Sequence, residues 1–214
     1  MLSCEHISYS VQGKRILDDI NFTLQSEQHL LILGPSGCGK TTLLSILAGL
    51  QKPQSGIVRY REQDIYALNN AAIDRFRGQH LGILFQTFHL VKVLTVRQNL
   101  LLAQSLPGKP VDEVRIYDVL NRLGLAEKSH EHAGQLSVGE AQRLAVARAI
   151  IGEPAWILCD EPTSALDDHN AQAMLRLLME EANRCKASLV VVTHDSRVKS
   201  YFSGEQILEL GGMT

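Results

Sequence analysis

Residues 34–42 read GPSGCGKTT, a G-x-x-x-x-G-K-T spacing whose residue types suit capture of a chain of phosphates. Gly34, Gly37 and Gly39 let consecutive backbone N–H groups turn toward one anion, with Pro35, Ser36 and Cys38 as the intervening links. Lys40 adds a cation long enough to reach terminal phosphates. Thr41 offers a hydroxyl to Mg²⁺, and Thr42 continues into the helix that the loop opens, whose N-terminus adds partial positive charge. Cys38 reads as a small filler; the alternative is a thiol that a bound nucleotide would protect.

A second set of chemistry-bearing residues ends apolar runs. WILCDEP closes on Asp160 and Glu161. A carboxylate at a strand tip suits Mg²⁺ through its water shell, and a second one beside it suits acceptance of the proton from an attacking water. His194 follows the apolar stretch 189–193 and Gln86 follows 81–85. Both are expected at the edge of a parallel sheet where such sheets bind ligands, His194 near a terminal phosphate and Gln86 near metal or water. Further on, LSVGE places Ser137 and Glu140 as an S-x-x-E capping box, with Gly139 leaving the first helical turn open to an anion.

These groups need a scaffold that brings them together. Short apolar runs at 30–33, 81–85, 156–159 and 189–192 read as buried strands, and their alternation with helical stretches predicts an α/β fold with a parallel sheet. Segments 4–11, 18–24 and 56–60 read as half-buried strands of an N-terminal antiparallel β patch. Between residues 87 and 153 the strand signal vanishes, and helices are expected near 96–104, 111–123 and 138–151. A single domain over 1–214 follows, with a core from 1–86 and 154–214 and an inserted α-helical subdomain over 87–153. Ala171, Met174, Leu175, Leu178, Met179 and Ala182 mark one face of a further helix, with Asp167 or Asp168 as its N-cap.

Composition narrows the classes. The chain has 214 residues, is 45% hydrophobic and carries a formal net charge of -2, so no global field holds nucleic acid. No apolar run approaches the roughly 20 residues needed to span a bilayer. The first residues lack a basic segment followed by an apolar one, so a cytosolic location is expected. Cys4, Cys38, Cys159 and Cys185 form no C-x-x-C pair and are expected as free thiols.

Taken together, these motifs make the chain resemble the nucleotide-binding subunit of an ABC transporter, an ATPase with a RecA-like P-loop NTPase core. On that resemblance Tyr9 stacks on adenine, Gln86 is the Q-loop glutamine, and LSVGE begins the signature helix. WILCDEP is the metal-binding strand with its catalytic glutamate, Ser164, Ala165, Leu166 and Asp167 form a dimer-contact loop, and His194 is the switch histidine. The order from Tyr9 to His194 covers most of the chain. It implies a head-to-tail dimer, two identical copies being the simpler arrangement. Two ATP molecules, with Mg²⁺, would each lie between one copy's phosphate loop and the other's Ser137 and Gly139. A membrane-spanning partner would dock near Gln86 and residues 87–94, holding the chain peripherally at the cytoplasmic face of the inner membrane.

Two positions depart from the family's LSGGQ: Val138 replaces a glycine and Glu140 a glutamine. Glu140 still completes the capping box, whereas a β-branched Val138 facing the nucleotide would slow the reaction. The stretch from Leu68 to Val96 looks similar to the lipoprotein-releasing, macrolide-export and cell-division group. The alternative to a transport ATPase is a nucleotide-dependent mechanical or signalling module on a membrane complex. A small-molecule kinase is disfavoured because it leaves the LSVGE helix unexplained.

Overall fold

The computed structural model describes residues 1–106, 108, 110–164 and 166–211. In chain order the strands are β1 (Leu2–Val11), β2 (Lys14–Leu24), β3 (Leu30–Leu33), β4 (Ser55–Tyr60), β5 (Gln63–Asp64), β6 (Leu81–Leu84), β7 (Trp156–Asp160), β8 (Ser188–Thr193) and β9 (Gln206–Glu209). The helices are α1 (Lys40–Leu47), α2 (Asn70–His80), α3 (Val96–Ser105), α4 (Glu113–Arg122), α5 (Val138–Ile150) and α6 (Asp168–Cys185). A parallel sheet runs β6-β7-β8-β3-β9, and an antiparallel sheet runs β2-β1-β4-β5.

Every residue of β3, β7 and β8 is buried. Both faces of the parallel sheet are covered, so these strands read as continuous apolar runs. Period-2 geometry still sorts their side chains. Leu31, Ile157, Cys159, Leu189 and Val191 enter a core shared with α3, α4, α5 and α6. Leu30, Ile32, Leu158, Val190 and Val192 enter the other, shared with α1 and the antiparallel sheet.

Helix α2, the two-residue strand β5 and strand β9 have no counterpart in the sequence reading. In α2 only Ile73 is buried, so it lacks an apolar stripe to announce it. The edge strand β9 pairs with β3 in a mostly exposed QILE segment, of which only Leu208 packs against the core. The expected helix at 111–123 begins later, because Asp112 accepts from the Arg115 N–H and caps α4. Asp167, rather than Asp168, caps α6 through the Asn170 N–H. The cysteines expected as free thiols are free.

Several contacts fix α5 and the loop after Gln86 to the sheet. Gly82 of β6 lies so close beneath α5 that a Cβ there would stand 2.2 Å from the Ala149 carbonyl oxygen. Arg148 of α5 donates to the carbonyls of Phe88 and His89 at 2.6 and 2.5 Å. Asn99 of α3 bridges the Val91 N–H and carbonyl at 3.0 and 3.1 Å. Arg122 of α4 donates twice to Glu181 of α6, at 2.9 and 3.3 Å, and the Glu181 side chain is only 4% exposed. Removing the guanidinium leaves that buried carboxylate only the more distant and more exposed Arg184, at 3.6 Å. Arg122→Ala is therefore expected to cost about 3 kcal/mol in urea unfolding, with Arg122→Lys recovering part of the loss.

Candidate functional site

The tips of β3, β6, β7 and β8 carry the loops that meet at one cavity, of about 450 Å³. Its wall comprises Ser36, Gly37, Gly39, Lys40, Thr41 and Thr42 of the phosphate loop, then Gln86, Glu161 and His194, and finally Val11 and Ile16. The loop bends through Gly37 and Gly39, at φ of +81° and +99°, conformations that a side chain would strain. Gly39 is the N-cap of α1 and makes no side-chain cap bond. The first N–H groups of that helix are thus left to an anion.

Lys40 is 6% exposed, and its ammonium donates to the Gly34 and Pro35 carbonyls, each at 2.9 Å. It also lies 3.5 Å from Glu161 Oε1. Pro35 and Cys38 face a neighbouring cavity, of about 700 Å³, that is also lined by β2 and Leu210. Cys38 is not on the wall that carries Glu161.

Asp160, at the end of β7, accepts from the Thr41 hydroxyl at 3.1 Å. Burial pushes its pKa up, and the Thr41 hydrogen bond opposes that. Glu161 has φ of +49°, a left-handed conformation that is costly for a residue with a Cβ. A ring of donors holds it there. Thr193 Oγ1 donates to Oε2 at 2.8 Å, the His194 N–H to Oε1 at 3.1 Å, and His194 Nδ1 lies 2.9 Å from Oε1. Burial acts to raise the Glu161 pKa, but hydrogen bonds from His194 and Thr193 outweigh it and hold the carboxyl below its usual range. Gln86 donates to Ser164 Oγ at 3.4 Å, and that hydroxyl donates to the Glu161 carbonyl at 3.2 Å.

Thr193 is a site residue that the motif reading passed over. Its hydroxyl also accepts from the Asp195 N–H at 3.0 Å. Asp195 in turn accepts from Thr163 Oγ1 at 3.1 Å and from Arg197 at 2.8 and 2.7 Å, and Arg197 reaches Asp168 at the start of α6. The Arg197 hydrogen bonds hold the Asp195 carboxyl below its usual range. The available signal was a polar triplet, Thr193-His194-Asp195, closing an apolar run.

Besides Gly34, Pro35, Cys38 and Asp160, which neighbour the wall without lining it, the expected residues Tyr9, Ser137 and Gly139 also lie off it. Tyr9 is half-buried against the core beneath the antiparallel sheet, and its neighbours Val11 and Ile16 are on the wall. The physical reason is a register shift. Tyr9 pairs with Leu17 and Ser10 with Arg15, which leaves Ile16 as an extra residue on β2 and breaks the simple alternation of faces. Ser137 and Gly139 begin α5 elsewhere on the surface. There the Ser137 hydroxyl accepts from the Glu140 N–H at 3.4 Å, the Glu140 carboxylate accepts from the Ser137 N–H at 2.8 Å, and Val138 is 69% exposed. Of the expected dimer-contact loop, Ser164, Leu166 and Asp167 are described and Ala165 lies outside the described residues.

Residues 17–164 match the ABC transporter family, and the chain belongs to it. It is an ABC transporter ATP-binding domain, an ATPase on an α/β P-loop fold. Within the family it is 37% identical over 219 residues to the lipoprotein-releasing system ATP-binding protein LolD of Treponema pallidum, covering 100% of this chain and 97% of that one. The LolD of Bacteroides fragilis is 35% identical over 197 residues, 91% of each chain. Among solved structures, a dimeric post-hydrolysis state of the cassette MJ0796 bound to ADP and Pi superposes with a TM-score of 0.86 at 28% identity, covering 100% of this chain and 97% of that chain.

Thr193→Val removes the hydroxyl that orients Glu161 and keeps the side-chain shape. Turnover of ATP is expected to fall about tenfold, equivalent to about 1.4 kcal/mol of barrier, with KM nearly unchanged. Steady-state kinetics check this, and Thr193→Ser is expected to restore most of the rate.

Proposed function

We propose that the chain is the energy-supplying subunit of a membrane transport complex, hydrolysing Mg-ATP between two head-to-tail copies of itself. The observation that carries the reading is the convergence of Lys40, Thr193 and His194 on Glu161 beside an anion-binding loop. The loop N–H groups and Lys40 would hold the β- and γ-phosphates and stabilise charge as it shifts between oxygens. Glu161, kept ionised by its donors, would orient a water and accept its proton, with His194 aligning the pair.

An all-oxygen donor set suits Mg²⁺: the Thr41 hydroxyl, the adjacent Asp160 carboxylate and the Gln86 side-chain carbonyl. Few protein ligands are needed, because Mg²⁺ is ordinarily shared with phosphate oxygens and waters. When bound, the ion supplies charge neutralisation on the phosphates.

Several features support the paired arrangement. Ser137 and Gly139 open α5 away from this chain's own cavity, with an exposed N-terminal turn. A second copy would bring that turn to the phosphates, as the resemblance implies, and the MJ0796 cassette is described as dimeric. Val138 points into solvent rather than against its own loop.

A groove of about 260 Å³ lined by Val91, Leu102, Ala103, Leu106 and Arg148 is the proposed seat of the membrane-spanning partner. It adjoins the loop after Gln86 that Arg148 holds. No helix among the described residues is long and apolar enough to cross a membrane. Attachment to the cytoplasmic face of the inner membrane would then come through that partner, with residues 87–153 carrying the signature turn and sharing the docking groove with Gly78, Gln79, Leu81 and Pro154 of the core.

Lys40→Ala is expected to lower ATP turnover at least a hundredfold, and full activity in that variant would end this reading. Chelation of Mg²⁺ is expected to stop turnover reversibly. Thr41→Ala is expected to require about tenfold more Mg²⁺ for half-maximal rate, measured by phosphate release.

A further inference from the structure

Two segments meet behind the Glu161 carboxylate: the one after β7, which carries Glu161 and Thr163, and residues 193–197 at the end of β8. Arg197 stands at their junction. Its guanidinium donates through two nitrogens to the two oxygens of Asp195, at 2.8 and 2.7 Å, and through the third to Asp168 in the first turn of α6. Its backbone N–H donates to Asp195 Oδ1 as well, at 3.0 Å. With Ser164 and His194 it lines a hollow of about 350 Å³, whereas the neighbouring cavity that holds Glu161 is not lined by Arg197.

The connection from Arg197 to Glu161 runs through one hydroxyl. Thr193 Oγ1 has a single proton and two lone pairs. The proton goes to Glu161 Oε2 at 2.8 Å, and the Asp195 N–H occupies a lone pair at 3.0 Å. The direction of that proton therefore depends on where the Asp195 backbone stands. The Asp195 side chain holds the backbone in place: it is only 7% exposed, and it also accepts from Thr163 Oγ1 at 3.1 Å. An enclosed carboxylate stays enclosed only while strong donors replace its water, and among the described residues Arg197 forms its only ion pair.

We propose that Arg197 is a positioning residue for hydrolysis: by clamping Asp195 it aims the Thr193 hydroxyl at Glu161, and so fixes the proton acceptor without itself lining the cavity. The inference rests on the reading of Glu161 as that acceptor. A guanidinium suits the task, because its rigid fork grips both carboxylate oxygens and still reaches Asp168, which the point charge of a lysine cannot do.

The test is a double-mutant cycle in steady-state ATP hydrolysis by the full chain: unaltered, Arg197→Ala, Thr193→Val and the pair, each checked for folding by thermal unfolding. Arg197→Ala is expected to lower kcat about fivefold and leave KM for ATP unchanged, the mark of an interaction that acts in the transition state alone. In the Thr193→Val background the same substitution should cost less than about 1.5-fold more, because the hydroxyl through which it acts is gone. A merely structural role predicts a second loss of about fivefold on top of the first, since independent effects multiply. That multiplicative result, a KM that rises while kcat holds, or full activity in a folded Arg197→Ala would each overturn the proposal. Arg197→Lys keeps the charge without the fork; it should lose about twofold with the same dependence on Thr193, and it carries the cycle if the alanine variant does not fold. Failure of the underlying reading shows itself elsewhere: Glu161→Gln would then hydrolyse ATP at the unaltered rate.

Discussion

A buried ammonium dictates the shape of the site. Lys40 is almost fully enclosed, and an enclosed charge is stable only when fixed dipoles or an opposite charge replace its water. Two carbonyls of the phosphate loop do part of this, and their inward orientation requires the sharp bends at Gly37 and Gly39. Glu161 supplies the rest, drawn to within 3.5 Å despite a left-handed backbone. The donors at the end of β8, Thr193 and the following His194, are the counterweight that keeps the carboxylate from collapsing fully onto Lys40. The same cation that organises the loop thus sets where the Glu161 carboxylate stands.

From this centre hydrogen bonds lead outward to Gln86, Ser164 and the start of α6, and a separate pair ties the loop after Gln86 to α5. Gln86 reaches Ser164, and Ser164 reaches the Glu161 backbone. Thr193 connects through Asp195 and Arg197 to the start of α6. Arg148 links the loop following Gln86 to α5, whose first turn presents Ser137 and Gly139. A ligand that interacts differently with two arrangements of these contacts can shift the balance between them, which is the physical requirement for converting nucleotide binding into movement.

Legibility in the sequence followed the strength of the local constraint. The phosphate loop was readable because cradling an anion demands glycines and a lysine at fixed spacing, and β3, β7 and β8 because burial on both faces demands unbroken apolar runs. The capping box at Ser137 and Glu140 was readable for the same reason. Helix α2 and strand β9 were not, since neither buries an apolar face of its own. That Val11 and Ile16 line the cavity was hidden by the irregular register of β1 and β2, which reassigns faces without altering composition. Thr193 was hidden because its role depends on which carboxylate lies beside it in space.

The proposed mechanism has Glu161 act on water while a second copy completes the site. Its most direct test is the solution mass of Glu161→Gln with and without Mg-ATP, since removing the proton acceptor leaves the loop, Lys40 and the α5 turn in place. The account predicts a monomer that becomes a dimer on addition of Mg-ATP and persists as one. A variant that binds Mg-ATP yet stays monomeric, or one that still hydrolyses it at the unaltered rate, would contradict the account.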